Sequence, residues 1–173
     1  MDISTITDAF GDVALQQPTT GVIIATILAA VLLLMSAFAS GSEIAFFSLS
    51  PSDVAELEDG KFDADKKIQN LRDDSERTLA TILIANNFVN VTIIMLLNYV
   101  IAGVISFGER ALLLQFLFTT VILTFLLLLF GEIMPKVYAR QDPLKFCRRC
   151  VGGVMFARKL FWPIENILLK SGM

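Results

Sequence analysis

The chain has 173 residues, 55% of them hydrophobic, and its 14 Lys and Arg against 17 Asp and Glu leave a net charge of −3. Histidine is absent and there are only two cysteines, which excludes a Ser-His-Asp triad, a histidine metal site and a disulfide framework. The net charge argues against a nucleic-acid binder, which would show a basic face, so no nucleic-acid partner is expected; carboxylate chemistry and metal binding through oxygen survive.

The charges are spread unevenly. Val13 to Ser42, Thr78 to Gly108 and Ala111 to Gly131 carry no Asp, Glu, Lys or Arg. About 20 apolar residues cross a hydrocarbon layer of roughly 30 Å, so each window is long enough to span a bilayer. The fold class expected is an all-α membrane protein with three transmembrane helices and amphipathic juxtamembrane helices.

Residues 1–19 form an extracytoplasmic N-terminal segment. They carry Asp2, Asp8 and Asp12 but no basic residue, so they lack the positive region of a signal peptide. The first span runs from about Thr20 to Ser42, with Pro18 and Thr19/Thr20 as its start signal. It ends in Ser36-Ala37-Phe38-Ala39-Ser40-Gly41-Ser42-Glu43. Ser36 and Ser40 are i and i+4 and share a helical face. Such serines often bond their own i−4 carbonyl or line a close helix contact.

Ser50-Pro51-Ser52-Asp53 supplies an N-cap, a proline at the first helical position and an acid at the third. Helix is predicted from there to about residue 76, split in two at Gly60, with Val54, Leu57, Ile68 and Leu71 at helical spacings. The second span begins near Thr78, ends before Gly103 to Gly108, and contains Asn86-Asn87-Phe88-Val89-Asn90. Asn87 and Asn90, i and i+3, share a face, and Asn87 falls roughly 14 Å from Thr78, near the bilayer centre. Each amide has two donors and an acceptor to satisfy; an interhelical clamp and a ligand role both answer that need.

Only Glu109 and Arg110 separate the second span from the third, which runs from Ala111 to about Arg140. Its Gly131-Glu132-Ile133-Met134-Pro135-Lys136 stretch is informative because Pro135 offers no N–H to the Gly131 carbonyl four residues back. A free carbonyl oxygen beside the only acid of that span results. A plain kink, or a Glu132–Lys136 pair at i, i+4, is the simpler reading. A helix restarts at Asp142-Pro143, and residues 141–173 form an interfacial belt. Its apolar stripe is Leu144, Cys147, Val151, Val154 and Met155, and Phe161-Trp162 lie beside basic residues. A soluble amphipathic helix packed on a domain is the alternative. Cys147-Arg148-Arg149-Cys150 has redox-motif spacing but reads as small apolar residues in a helix.

Every Lys and Arg except Arg110 falls in the segment between the first two spans, at the inner end of the third (Lys136 and Arg140) or after it. By the positive-inside rule the N-terminus is outside and the C-terminus cytoplasmic. The polar clusters then face the cytoplasmic half and offer hydroxyls, amide oxygens, a carbonyl and a carboxylate. Hard cations such as Mg²⁺, Ca²⁺ or Na⁺ suit that donor set, and irregular backbone lines ion sites in transporters.

Ser36 to Ser50 with Pro51 and Asp53, Thr81 to Asn90, and Phe130 to Lys136, in that order, resemble the transmembrane domain of the cyclin M / CorC family of magnesium transporters. The resemblance implies a homodimer in the bacterial inner membrane that exports Mg²⁺, with Na⁺ entry as its coupling. It implies a metal site of Ser36, Ser40, Asn90 or Asn87, the Gly131 carbonyl and Glu132. It also implies continuation beyond Met173 into cystathionine-β-synthase modules, through which ATP would act. This chain departs from many relatives at Asp74-Ser75-Glu76-Arg77, where they carry a proline, and at Ala85, where they carry a glycine. The competing expectation is a scaffold or sensor that transports nothing, for example in gliding motility machinery. An intramembrane enzyme is disfavoured, because no nucleophile-base pair is evident.

Overall fold

The computed structural model describes residues 13–107 and 112–171. Three helices are long and apolar enough to cross a membrane: Thr20–Phe47, Ser75–Val104 and Gln115–Gln141. Their apolar residues are largely exposed on the outside of the bundle, among them Ile24, Ile27, Leu34, Met95, Phe116, Val121 and Phe125. Such a surface is stable only against lipid. The chain is an all-α membrane protein, as its charge-free windows predict.

The first span is α1 (Thr20–Phe47), capped by Thr19, whose hydroxyl accepts from the Val22 amide. It runs five residues past the predicted end at Ser42, because Glu43 closes the charge-free window without breaking the helix. Next come α2 (Pro51–Glu58) and α3 (Asp63–Asp73), separated at Gly60, which adopts φ 61°. Glycine tolerates this left-handed geometry without a Cβ clash, which is why the predicted split falls there. Ser50 and Asp53 close a reciprocal capping box at the start of α2.

The second span is α4 (Ser75–Val104). Beyond it, β2 (Ile105–Phe107) pairs antiparallel with β1 (Val13–Leu15), Ala14 opposite Ser106. This small sheet, absent from the sequence expectation, ties the segment before α1 to the end of α4; Gln16 N–H donating to the Val104 carbonyl at 2.8 Å continues the tie. The proposed turn residues Glu109 and Arg110, and most of the segment 1–19, lie outside the described residues.

The third span is α5 (Leu112–Leu126), a π-helical stretch Leu127–Ile133, and α6 (Met134–Gln141). The π stretch is how the chain accommodates Pro135. A proline cannot donate to the carbonyl four residues back and its ring collides with it, so the helix widens by one residue per turn ahead of it. The Met134 amide accordingly bonds the Leu129 carbonyl, five residues back.

The last helix, α7 (Pro143–Ser171), restarts where Asp142 Oδ1 accepts from the Lys145 amide. Leu144, Cys147, Val151 and Val154 of its stripe are buried, as is Cys150, whereas Met155 is exposed. They meet Ala45 and Phe46 of α1, Leu57 of α2, Ile68 and Leu71 of α3, Ile82 of α4 and Ala139 of α6 in one apolar core. That core sits at the basic end of the bundle, and α7 packs into it along α1 and α4. Both cysteines are fully buried there. Further along α7, the Phe161 ring packs edge-on to Phe88 of α4 at 6.2 Å.

Candidate cation site

α1 is the hub, packed along α4, the π stretch, α6 and α7. Several hydroxyls of the spanning helices are satisfied locally: Thr26, Ser42, Thr81 and Thr92 each bond the carbonyl four residues back. Ser36 and Ser40 do not follow that pattern. Both are fully buried, and both reach another helix.

Ser36 Oγ lies 3.1 Å from Asn86 Oδ1 and 2.5 Å from Asn90 Oδ1. A serine hydroxyl has one proton to give, so three oxygens from two helices converge on a single hydrogen. On the other side of Ser36 is Gly131: a Cβ built there would stand 3.2 Å from Ser36 Oγ and 3.6 Å from Leu33 Cδ1. The missing side chain lets the third span close onto α1 at the level of the serine. One turn further along α1, Ser40 Oγ reaches the Glu132 backbone carbonyl at 3.5 Å.

Thus Ser36, Ser40, Asn90, Gly131 and Glu132 converge from all three spans. Asn87 does not; it is exposed, about 100° around α4 from Asn86. The residue beside Ser36 is its neighbour Asn86, buried and four residues from Asn90. Pairing Asn87 with Asn90 assumed an i, i+3 face; the face turned to α1 carries the i, i+4 pair. That spacing, the same as Ser36 to Ser40, was the available signal. The Gly131 carbonyl was the expected backbone donor, but the serine contact falls on the Glu132 carbonyl, one residue along the widened helix.

The Glu132 carboxylate turns toward the basic end. Its Oε1 lies 3.3 Å from Lys136 Nζ, realising the i, i+4 pair, and Glu43 Oε2 of α1 lies 3.3 Å from the same ammonium. Glu43 went without a role in the sequence reading, although it follows Ser40 by three residues and shares its face. Among the described residues, no three His, Cys, Asp or Glu side chains gather as a metal cage. A cation held here would depend on hydroxyl, amide and backbone oxygens, which suits a hard ion. An apolar cleft of about 360 Å³ between α1, α4 and α7 lies apart from this cluster and is lined by Leu34, Phe38, Ala85, Val89 and Val154; it offers a cation almost no oxygen.

Residues 27–173 match the family model described as the cyclin M transmembrane N-terminal domain. The chain is 32% identical over 136 residues to a protein named metal transporter cnnm-4 from Caenorhabditis elegans, covering 76% of this chain and 28% of that protein. It is 29% identical over 150 residues to a protein named UPF0053 protein from Haemophilus influenzae, covering 85% of this chain and 34% of that one. It therefore spans about a third or less of the length of these relatives. With three spans and a match over most of its length, the chain belongs to the cyclin M transmembrane-domain family.

Proposed function

We propose that this domain moves magnesium ions across the membrane, outward from a bacterial cytoplasm, with Na⁺ entry as the driving gradient. The observation that carries the reading is the gathering of oxygen around Ser36: its hydroxyl and the side-chain oxygens of Asn86 and Asn90 meet between two spanning helices. A cation would satisfy all three at once. Ser40 and the Gly131-Glu132 backbone extend the donor set, and the relative named a metal transporter supports ion transport as its purpose. Magnesium sheds its waters reluctantly, so ligands from three separate helices suit a site that opens alternately to either side. In this reading the basic end faces the cytoplasm by the positive-inside rule. The protein works as a homodimer, and ATP acts only through further modules. Exposed Asn87 agrees with a second copy, since an amide facing lipid lacks a partner.

A scaffold without transport has one observation in its favour: Ser36 and the two asparagines also hydrogen-bond one another as a helix clamp. Magnesium flux from liposomes decides. Ser40→Ala and Asn90→Ala should each lower it about tenfold at equal reconstitution while leaving the thermal midpoint within a few degrees. Wild-type rates from both variants would remove the proposed site, and no flux from the wild-type protein would favour the clamp.

A further inference from the structure

Lys136 occupies a position that helix pairing alone does not explain. An i, i+4 ion pair with Glu132 is worth only a few tenths of a kcal/mol on a helix surface. Here the ammonium is held by a second carboxylate as well, Glu43, from a different span, with both distances 3.3 Å. Glu43 follows Ser40 on the same face of α1, and Glu132 gives Ser40 its carbonyl contact. The two carboxylates therefore form the rim of the oxygen cluster on its basic side, and the Lys136 ammonium lies across that rim.

We propose that Lys136 is a built-in counter-cation of this mouth: it neutralises the two carboxylates when no metal ion is present and is displaced when a divalent cation enters. The proposal rests on the cluster being a cation site. Two carboxylates brought together at the edge of a low-dielectric region repel each other unless a positive charge lies between them. A lysine supplies that charge on a flexible four-carbon stem that can swing aside, which the planar fork of arginine does less readily. The lysine competes with the entering ion, so it lowers equilibrium affinity. In exchange, the departing ion leaves no unpaired acids behind.

The test is magnesium binding to the purified protein in nanodiscs, measured by titration calorimetry, for the wild type, Lys136→Met, Lys136→Gln, Lys136→Arg and Ser40→Ala. Removing one positive charge beside a divalent ion should tighten binding about tenfold in Lys136→Met and Lys136→Gln. Lys136→Arg should stay within about threefold of the wild type. Liposome flux should fall in the neutral variants, because release is slowed. Neutral variants that bind as the wild type does, or more weakly, overturn the proposal. If Ser40→Ala still weakens binding in that case, the magnesium reading stands without it. Saturable binding in none of the proteins overturns both. Lys136→Gln can still hydrogen-bond both acids; should neither neutral variant give a monodisperse, cooperatively melting species, Lys136 is a structural tie and the proposal fails.

Discussion

A serine hydroxyl bonded to two amide oxygens is the smallest unit on which the site depends. Ser36 can donate to Asn86 or to Asn90 at any one time, and either loss unbalances the cluster. Asn86→Ala should cost about 1–2 kcal/mol, as expected for a buried hydrogen-bonding group, and weaken magnesium binding. Asn87→Ala, on the exposed face, should leave the binding isotherm of the isolated protomer unchanged. Comparing the two by calorimetry and thermal melting tests which asparagine pair belongs to the site. The residue types were readable in the sequence, because an amide in a charge-free window stands out against its neighbours. Choosing between adjacent asparagines required the rotation of α4 about its axis, which no local pattern encodes: Asn86 and Asn87 differ by about 100° around a helix.

At the scale of elements, the site exists because helices approach closely at glycine. Gly41 lies beside Ser40, and a Cβ added there would stand 2.5 Å from Phe146 Cζ. The Phe146 ring belongs to α7 and also packs near Phe38 and Tyr138, with centroids 5.7 and 6.3 Å away. One aromatic side chain thus joins α1, α6 and α7 just below the oxygen cluster. Gly41→Ala should force that ring aside at a cost of about 1–3 kcal/mol. Combining it with Phe146→Leu should recover part of the loss, and melting temperatures of the single and double variants measure the recovery. Pro135 acts at the same scale. The proline was visible in the sequence as a break in hydrogen bonding, but the form of the break was not. A kink and a π stretch both accommodate the missing N–H; this chain forms the latter, and Lys136 just beyond it meets both Glu132 and Glu43.

For the molecule as a whole, the basic end is a folded unit in which α7 is fastened to α2 and α3. Arg148 donates from Nε to Asp65 Oδ1 at 2.8 Å and from Nη1 to Glu56 Oε1 at 2.9 Å, and its guanidinium lies 4.6 Å from the centre of the Phe62 ring. Arg158 adds a second tie, to Asp74 at the start of α4. Asp65 is fully buried, and the Arg148 hydrogen bond is the main cause holding its carboxyl below the usual value of 3.8 against the opposing effect of burial. Because the folded state lowers this group's pKa, the pair's contribution is complete above pH 3.8 and is lost as pH falls below it. Arg148→Ala leaves a buried carboxylate without its cation and should cost about 3 kcal/mol at neutral pH. The variant should lose less of its stability on acidification than the wild type, since protonating Asp65 then relieves a penalty. Thermal unfolding in detergent between pH 3 and 7 measures both slopes.

How much was legible follows from what each kind of information constrains. The number of spans, the helix starts at Thr19, Ser50 and Asp142 and the split at Gly60 were determined by the sequence itself. Lipid excludes charge over a fixed thickness, and caps act within a few residues, so both leave local marks. The tertiary structure alone decided that Asn86 rather than Asn87 meets Ser36, that Glu43 joins Glu132 around Lys136, that Arg148 seeks Asp65, and that β1 pairs with β2. Each of these depends on how helices are rotated against one another and how closely they approach. That is settled by packing summed over the whole bundle, where Gly41, Gly131 and the widened turn before Pro135 set the distances.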